Sequence, residues 1–152
     1  MKARATDNIR FKNIRGEVKL WIYRNGTLID FFEGQNLVVT LGKTNVAKLL
    51  GGDAAGKKIE KVSVGTNSTA ATVADNTITG AFTKAIDSVT YPDAQSVMYH
   101  FDIDNSEANG MTIYEFGLLN TDNVLSARKV RDTPIIKTNA IRIVGTWKIT
   151  VN

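Results

Sequence analysis

Hydrophobic and polar residues alternate along most of this chain, and a helical period surfaces only once. The clearest stretch is residues 109–128. After Gly110 the chain is β-branched, aromatic and aliphatic to Leu119, the tetrad Asn120-Thr121-Asp122-Asn123 has turn chemistry, and Val124-Leu125-Ser126-Ala127-Arg128 follows. The pattern predicts a β-hairpin whose first arm is apolar on both faces. Tyr114, Phe116 and Leu118 point one way, and Met111, Ile113 and Leu119 the other. Glu115 interrupts the second row. With a four-residue loop Leu119 pairs with Val124 and Glu115 falls opposite Arg128, so a cross-strand ion pair is expected in an otherwise apolar row.

Upstream, Val18, Leu20 and Ile22 alternate with Lys19, Trp21 and Tyr23, and Asn25-Gly26 is a two-residue hairpin turn. The return arm covers residues 27–32, with Ile22 opposite Ile29 and Leu20 opposite Phe31, and a third short strand covers 36–40. Residues 41–50 read as the helix, with Leu41, Val46, Ala47, Leu49 and Leu50 apolar and Gly42 weakening its first turn. Thr40 or Thr44 is expected to cap it, and Gly51-Gly52 to end it. Alternation returns at 59–64. Residues 65–80 offer little to bury and read as a long surface loop. Strands follow at 84–91, stopping at Pro92-Asp93, and at 95–104, with Val97, Tyr99, Phe101 and Ile103 on one face. Pro134 is expected to break the chain before the longest strand, 140–151, which puts Ile141, Ile143, Trp147, Ile149 and Val151 on one face. Eight or nine strands joined by hairpin-type turns predict a mainly β protein. The expected architecture is an antiparallel, jelly-roll-like β-sandwich with one short α-helix near residues 41–50.

At 152 residues the chain is expected to form one domain, residues 16–152, behind an arm of residues 1–15. With no cysteine, disulfides and thiolate metal sites are excluded. No apolar run approaches the ~18 residues of a membrane span, and the basic start lacks the apolar segment of a signal peptide, so cytosolic synthesis without membrane insertion is expected. The net charge of +4 is uneven. Residues 1–24 hold seven Lys and Arg against two acids, whereas residues 77–152 hold seven against eight. The arm, with Lys2, Arg4, Arg10, Lys12 and Arg15, the loop of residues 65–80, or both are expected to reach onto a neighbour, the arm docking on an acidic patch. A nucleic-acid contact is the lesser alternative, since no aromatic interleaves these residues before Phe11.

Candidate chemistry is sparse. Gly51, Gly56 and Lys57 have P-loop spacing, but Lys58 stands where a magnesium-ligating Ser or Thr belongs, and helix precedes strand, the reverse of the required order. Asp102, Asp104, Ser106 and Glu107 resemble a calcium loop, yet Glu107 replaces its glycine and Ile113 its final glutamate. His100 is the only histidine and has no cysteine or elbow serine to activate. Glu115 with Asp102 or Glu107 is the remaining carboxylate pair, and Arg128 explains Glu115 better. The sequence therefore predicts no enzyme, no cofactor and no metal. A sugar-binding reading rests on Trp21, Tyr91 and Tyr99 as aromatic platforms.

An ordered set of segments is similar to a family of small bacteriophage tail-associated proteins found beside tail-fibre and baseplate components. The segments are Asn36-Leu37-Val38-Val39-Thr40 with Gly42 and the helix to Leu49-Leu50, Val64-Gly65-Thr66, Thr69-Ala70, Asp75-Asn76-Thr77 and Phe82-Thr83-Lys84-Ala85-Ile86. The set continues with Glu107-Ala108-Asn109-Gly110, Ile113-Tyr114-Glu115-Phe116-Gly117-Leu118, Leu125-Ser126-Ala127-Arg128, Ile136-Lys137-Thr138 and Trp147-Lys148-Ile149. The resemblance covers roughly residues 35–151. It implies a β-sandwich virion protein of the tail, present in several copies as a homo-oligomer and bound to other phage structural proteins. It supplies no catalytic residues. A receptor- or carbohydrate-binding module that meets a host-surface glycan is the alternative, and a head-surface or nucleic-acid-contacting protein the third.

Overall fold

The computed structural model describes residues 14–152. Among the described residues nine antiparallel strands form one curled sheet, ordered β4-β3-β7-β8-β2-β1-β9-β6-β5. Its two halves face each other as a sandwich, as the alternation predicts. The strands are β1 (Ile14–Arg24), β2 (Thr27–Val38), β3 (Ile59–Gly65), β4 (Phe82–Ala85), β5 (Ser88–Asp93), β6 (Ser96–Ile103), β7 (Thr112–Asn120), β8 (Leu125–Ile136) and β9 (Ile141–Val151). Helix α1 (Thr40–Gly51) follows β2.

Alternation produces the core. Val18, Leu20 and Ile22 of β1 meet Ile141, Ile143 and Trp147 of β9 and Tyr99, Phe101 and Ile103 of β6. From the other half come Val62, Val64, Ile113, Phe116 and Leu118. Buried Trp147 donates its indole N–H to Asn36 Oδ1 at 2.8 Å, so the largest core side chain keeps its polar atom paired.

The strand boundaries depart from the alternation in instructive ways. Residues 27–38 are one strand rather than two, because the β1 ladder holds β2 through its polar middle, from Thr27 to Asn36. The last two residues of β2, Leu37 and Val38, then pair with Arg128 and Ala127 of β8, joining the halves. Asn25 and Gly26 take φ of 48° and 80°, as the predicted turn requires. A bulge at Ile29 nevertheless shifts the register, so Ile22 faces Asp30 and Leu20 faces Phe32. The expected strand 84–91 is two strands. The N–H of Ile86 bonds Glu60 of β3 and that of Asp87 bonds His100 of β6, so the chain changes halves between neighbouring residues.

Pro134 does not break the chain but sits inside β8. Pairing with β7 runs Ile113–Ile135 and then resumes at Glu115–Val130, so residues 131–134 lie opposite Tyr114 in a wide bulge where Pro costs no ladder hydrogen bond. The same irregularity puts Ile113 on the core side with Phe116 and Leu118, correcting the simple two-face reading of β7.

Val39 occupies the N-cap of α1 with no side-chain hydrogen bond, so neither Thr40 nor Thr44 caps it. Gly52 closes the helix in the left-handed conformation. The helix buries Gly42 and Asn45, with Gly42 against the Ser126 backbone, and leaves Leu50 exposed. Asn45 exchanges two hydrogen bonds with the Lys57 backbone, at 2.6 and 2.9 Å. Among the described residues no helix is long and apolar enough to cross a membrane.

Candidate functional site

The polar centre of the molecule lies on the outward face of β7 and β8, beneath residues 66–81. Glu115 is fully buried and Arg128 is 2% exposed. Glu115 Oε2 accepts from Arg128 Nε at 2.7 Å, while Oε1 accepts from the backbone N–H groups of Thr79 at 2.8 Å and Asn67 at 3.2 Å. Arg128 donates onward through Nη1 to Asp75 Oδ2 at 2.8 Å and through Nη2 to the Asn67 carbonyl at 3.3 Å. A buried carboxylate survives only when both its charge and its lone pairs are met, and here three donors meet it.

This network fastens the long polar segment, so residues 66–81 form a strap on their own sheet instead of a free loop. Asp75 also accepts from Thr72 through backbone N–H and hydroxyl. Burial pushes the Asp75 carboxyl up, but the hydrogen bonds from Thr72 and Arg128 more than reverse this and hold it below the usual carboxylate range. Ile78 anchors the far end of the strap in a small cluster with Val39, Leu119 and Leu125. Two glycines make the close approach. A Cβ on Gly65 would lie 2.5 Å from Glu115 Oε1 and 2.6 Å from the Thr79 carbonyl, and one on Gly117 would lie 2.8 Å from Ile78.

The expected Glu115–Arg128 contact is therefore present, although its register is not the expected one. Glu115 stands opposite Val130 and Arg128 opposite Gly117, because Leu119 pairs with Leu125 rather than Val124 and Ser126 is then an extra residue before Ala127 pairs with Leu118. A two-residue slip keeps both side chains on the same face, and the long Arg spans the diagonal. Asp75 was missed at the sequence level. A signal was there: it is the sole charged residue between Lys61 and Lys84.

The acids of the calcium-like loop are engaged by the protein's own side chains and backbone. Glu107 receives Lys84 Nζ at 2.9 and 3.1 Å, Arg142 holds Asp102, and Ser106 bonds Asp104 through its N–H and hydroxyl. Buried Lys137 donates to Asn109 and to the Thr138 carbonyl, and its burial lowers its pKa against the pull of Asp104 and Glu107. Among the described residues no group of three or more His, Cys, Asp or Glu is placed to hold a metal ion. His100 Nε2 lies 2.8 Å from the Thr90 hydroxyl.

Of the aromatic candidates, Tyr99 is in the core, its hydroxyl pushed up to about 12 by burial and the neighbouring Tyr91. Tyr91 is 75% exposed on edge strand β5. Trp21 is half-buried on the outer face of β1, tilted against Phe31 with ring centroids 5.4 Å apart. Phe31 and Val144 are its register partners, while Tyr23 faces Leu28 and Arg142. Cross-strand partners share a face, so Trp21, Tyr23, Leu28, Phe31 and Val144 form one outward apolar patch, with Arg142 at its border.

Lys2, Arg4, Arg10 and Lys12 of the expected arm lie outside the described residues. Arg15 is exposed within β1, opposite Thr150, so the strand begins two residues earlier than the expected domain boundary. Comparison with protein-family models, with curated proteins and with solved structures found no match to this chain.

Proposed function

We propose that this chain is a non-enzymatic structural component of a bacteriophage virion, placed at the tail, baseplate or fibre attachment and working by protein–protein assembly. The carrying observation is the outward patch of Trp21, Tyr23, Leu28, Phe31 and Val144, in which Leu28 and Phe31 are each about half exposed. A contiguous apolar patch with two or more aromatics is the composition of an interface centre rather than of ordinary solvated surface. The carboxylates that a hydrolase would use support the same reading, because Glu115, Asp102 and Glu107 are each bound to a basic side chain. The ordered resemblance to tail-associated proteins supplies the location, and the partners are further copies of the chain and other virion proteins.

The test has two arms. Light scattering on the purified protein should give a mass above one chain, reduced by Phe31→Ser or Leu28→Ser. Antibodies against the protein should label purified virions at the tail. A monomer with no place in the particle sinks the proposal. The second reading, a host-glycan-binding module, draws on the same aromatics and on Tyr91. Glycan binding abolished by Trp21→Ala or Tyr91→Ala in a monomeric protein would favour it.

A further inference from the structure

The two bulges lie beside one cavity of about 210 Å3. Ile29, the extra residue of β2, and Arg131, Thr133 and Pro134, from the wide bulge of β8, line it. Its other walls include Ile22 and Ile141, and its charged residues are Arg24, Asp30 and Arg131. Bulges re-aim side chains, and here they bring two guanidinium groups and one carboxylate into an otherwise aliphatic hollow.

Arg131 is the unusual member. It is 6% exposed, and a single hydrogen bond holds it, from Nη2 to Asp30 Oδ2 at 3.1 Å. Its Nε and Nη1 are shut from solvent with no hydrogen-bond partner among the described residues. The Phe32 ring 4.9 Å from the guanidinium carbon supports the charge but accepts no conventional hydrogen bond. Arg128, on the same strand, shows what the chain does with a buried guanidinium when all its partners are internal: all three of its nitrogens are bonded. Unmet buried donors each cost about 1–3 kcal/mol and are rare in native proteins.

We propose that this cavity is a binding site for a carboxylate carried on a short branched aliphatic body, with Arg131 and Arg24 as the anion-holding groups. Two arginines against Asp30 leave one net positive charge, which matches a monoanion better than a phosphate. The isoleucine walls match the aliphatic body. An apolar cavity of ~150 Å3 accepts benzene, so this one has room for about six to nine heavy atoms. Asp30 is itself half exposed and engages one nitrogen only, so binding requires the guanidinium to turn from Asp30 and bring its sealed nitrogens to the cavity. The carboxylate is either that of a free short-chain acid or the chain end of a partner that finishes in an aliphatic residue.

The test titrates the full chain with sodium isovalerate and follows the Arg131 Nε–H signal by NMR, with calorimetry for affinity. The expected result is a saturable shift with a millimolar or tighter constant. Isovaleramide, which lacks the charge, should give none, and inorganic phosphate should bind at least about tenfold more weakly. Arg24→Gln, at the exposed rim, should weaken binding about two- to fivefold. Ile29→Trp should block the cavity without changing its charge. Arg131→Lys should lose about tenfold or more, and if it fails to fold the other two variants carry the test. A short peptide ending in leucine that outbinds isovalerate with a free but not an amidated terminus assigns the carboxylate to a partner's chain end. Isovalerate binding without peptide binding assigns it to a free acid. Absence of a saturable shift, equal binding of the amide, or indifference to Ile29→Trp overturns the site.

Discussion

Glu115 and Arg128 meet at 2.7 Å although neither is the other's register partner. The ion pair runs diagonally between β7 and β8, and the spare atoms of both side chains bind the strap. Removing Arg128 therefore strands a buried carboxylate. Arg128→Met should destabilise the domain by about 3–5 kcal/mol, and Arg128→Met with Glu115→Leu by less, because the lone charge is the costly species. Equilibrium urea unfolding of both variants measures the difference. A double variant less stable than the single one contradicts this account.

Acid should loosen the strap. The Asp75 carboxyl is held below its unfolded value of about 3.9, so its contribution is fully present above roughly pH 4 and is lost as the pH falls through the lower folded value. Asp75→Asn should lower the melting temperature at neutral pH yet flatten its decline between about pH 4 and pH 2 relative to the parent. Thermal melts across that range decide the matter; parallel curves for the two proteins would place the acid response elsewhere.

Gly65→Ala should be costly despite adding one methyl group. The new carbon has to displace the Glu115 carboxylate, Ile78 or the strap backbone, all of them fixed. A loss of about 1–3 kcal/mol is expected, with faster proteolytic cleavage inside residues 66–81 than in the parent. Unchanged cleavage would mean that the strap tolerates the shift.

Deleting residues 1–13 should leave the domain folded, since every ladder pair of β1 with β9, from Ile14–Val151 onward, is retained. The cost should stay below about 1 kcal/mol by thermal melting. Incorporation into oligomers or particles should fall, and in the intact protein it should weaken with salt, because exposed charge pairs are screened over about 8 Å at physiological ionic strength. Assembly that survives the deletion at every ionic strength would remove the docking role from Lys2, Arg4, Arg10 and Lys12.

Local chemistry explains what could be read from the sequence. The Asn25-Gly26 turn, the helix end at Gly52 and the core faces of β1, β6 and β9 depend on neighbours along the chain. The Glu115–Arg128 contact survived a wrong register because a slip of two preserves the face. Bulges were invisible, since nothing in Ile29 or Tyr114 announces an extra or skipped residue. The corner at Ile86-Asp87 was hidden for a related reason: alternation continues across it while the ladder partner changes from β3 to β6. Asp75 and Arg131 acquire their roles from strands and loops remote in sequence, as does the cavity between the bulges.

The place of β9 between β1 and β6 sets a timetable for synthesis. The first hairpin can close while the ribosome is still at work, but β1 and β6 each present an unpaired edge until residues 141–151 have emerged. Trp147, the largest fully buried side chain, arrives with that strand. One half of the sandwich therefore assembles only after residues 141–151 have emerged, through a pairing between segments remote in sequence that is correspondingly slow. During that interval the waiting edges are the points at which nascent copies can stick to one another, which makes the docking of β9 the step most exposed to crowding in an overexpressing cell.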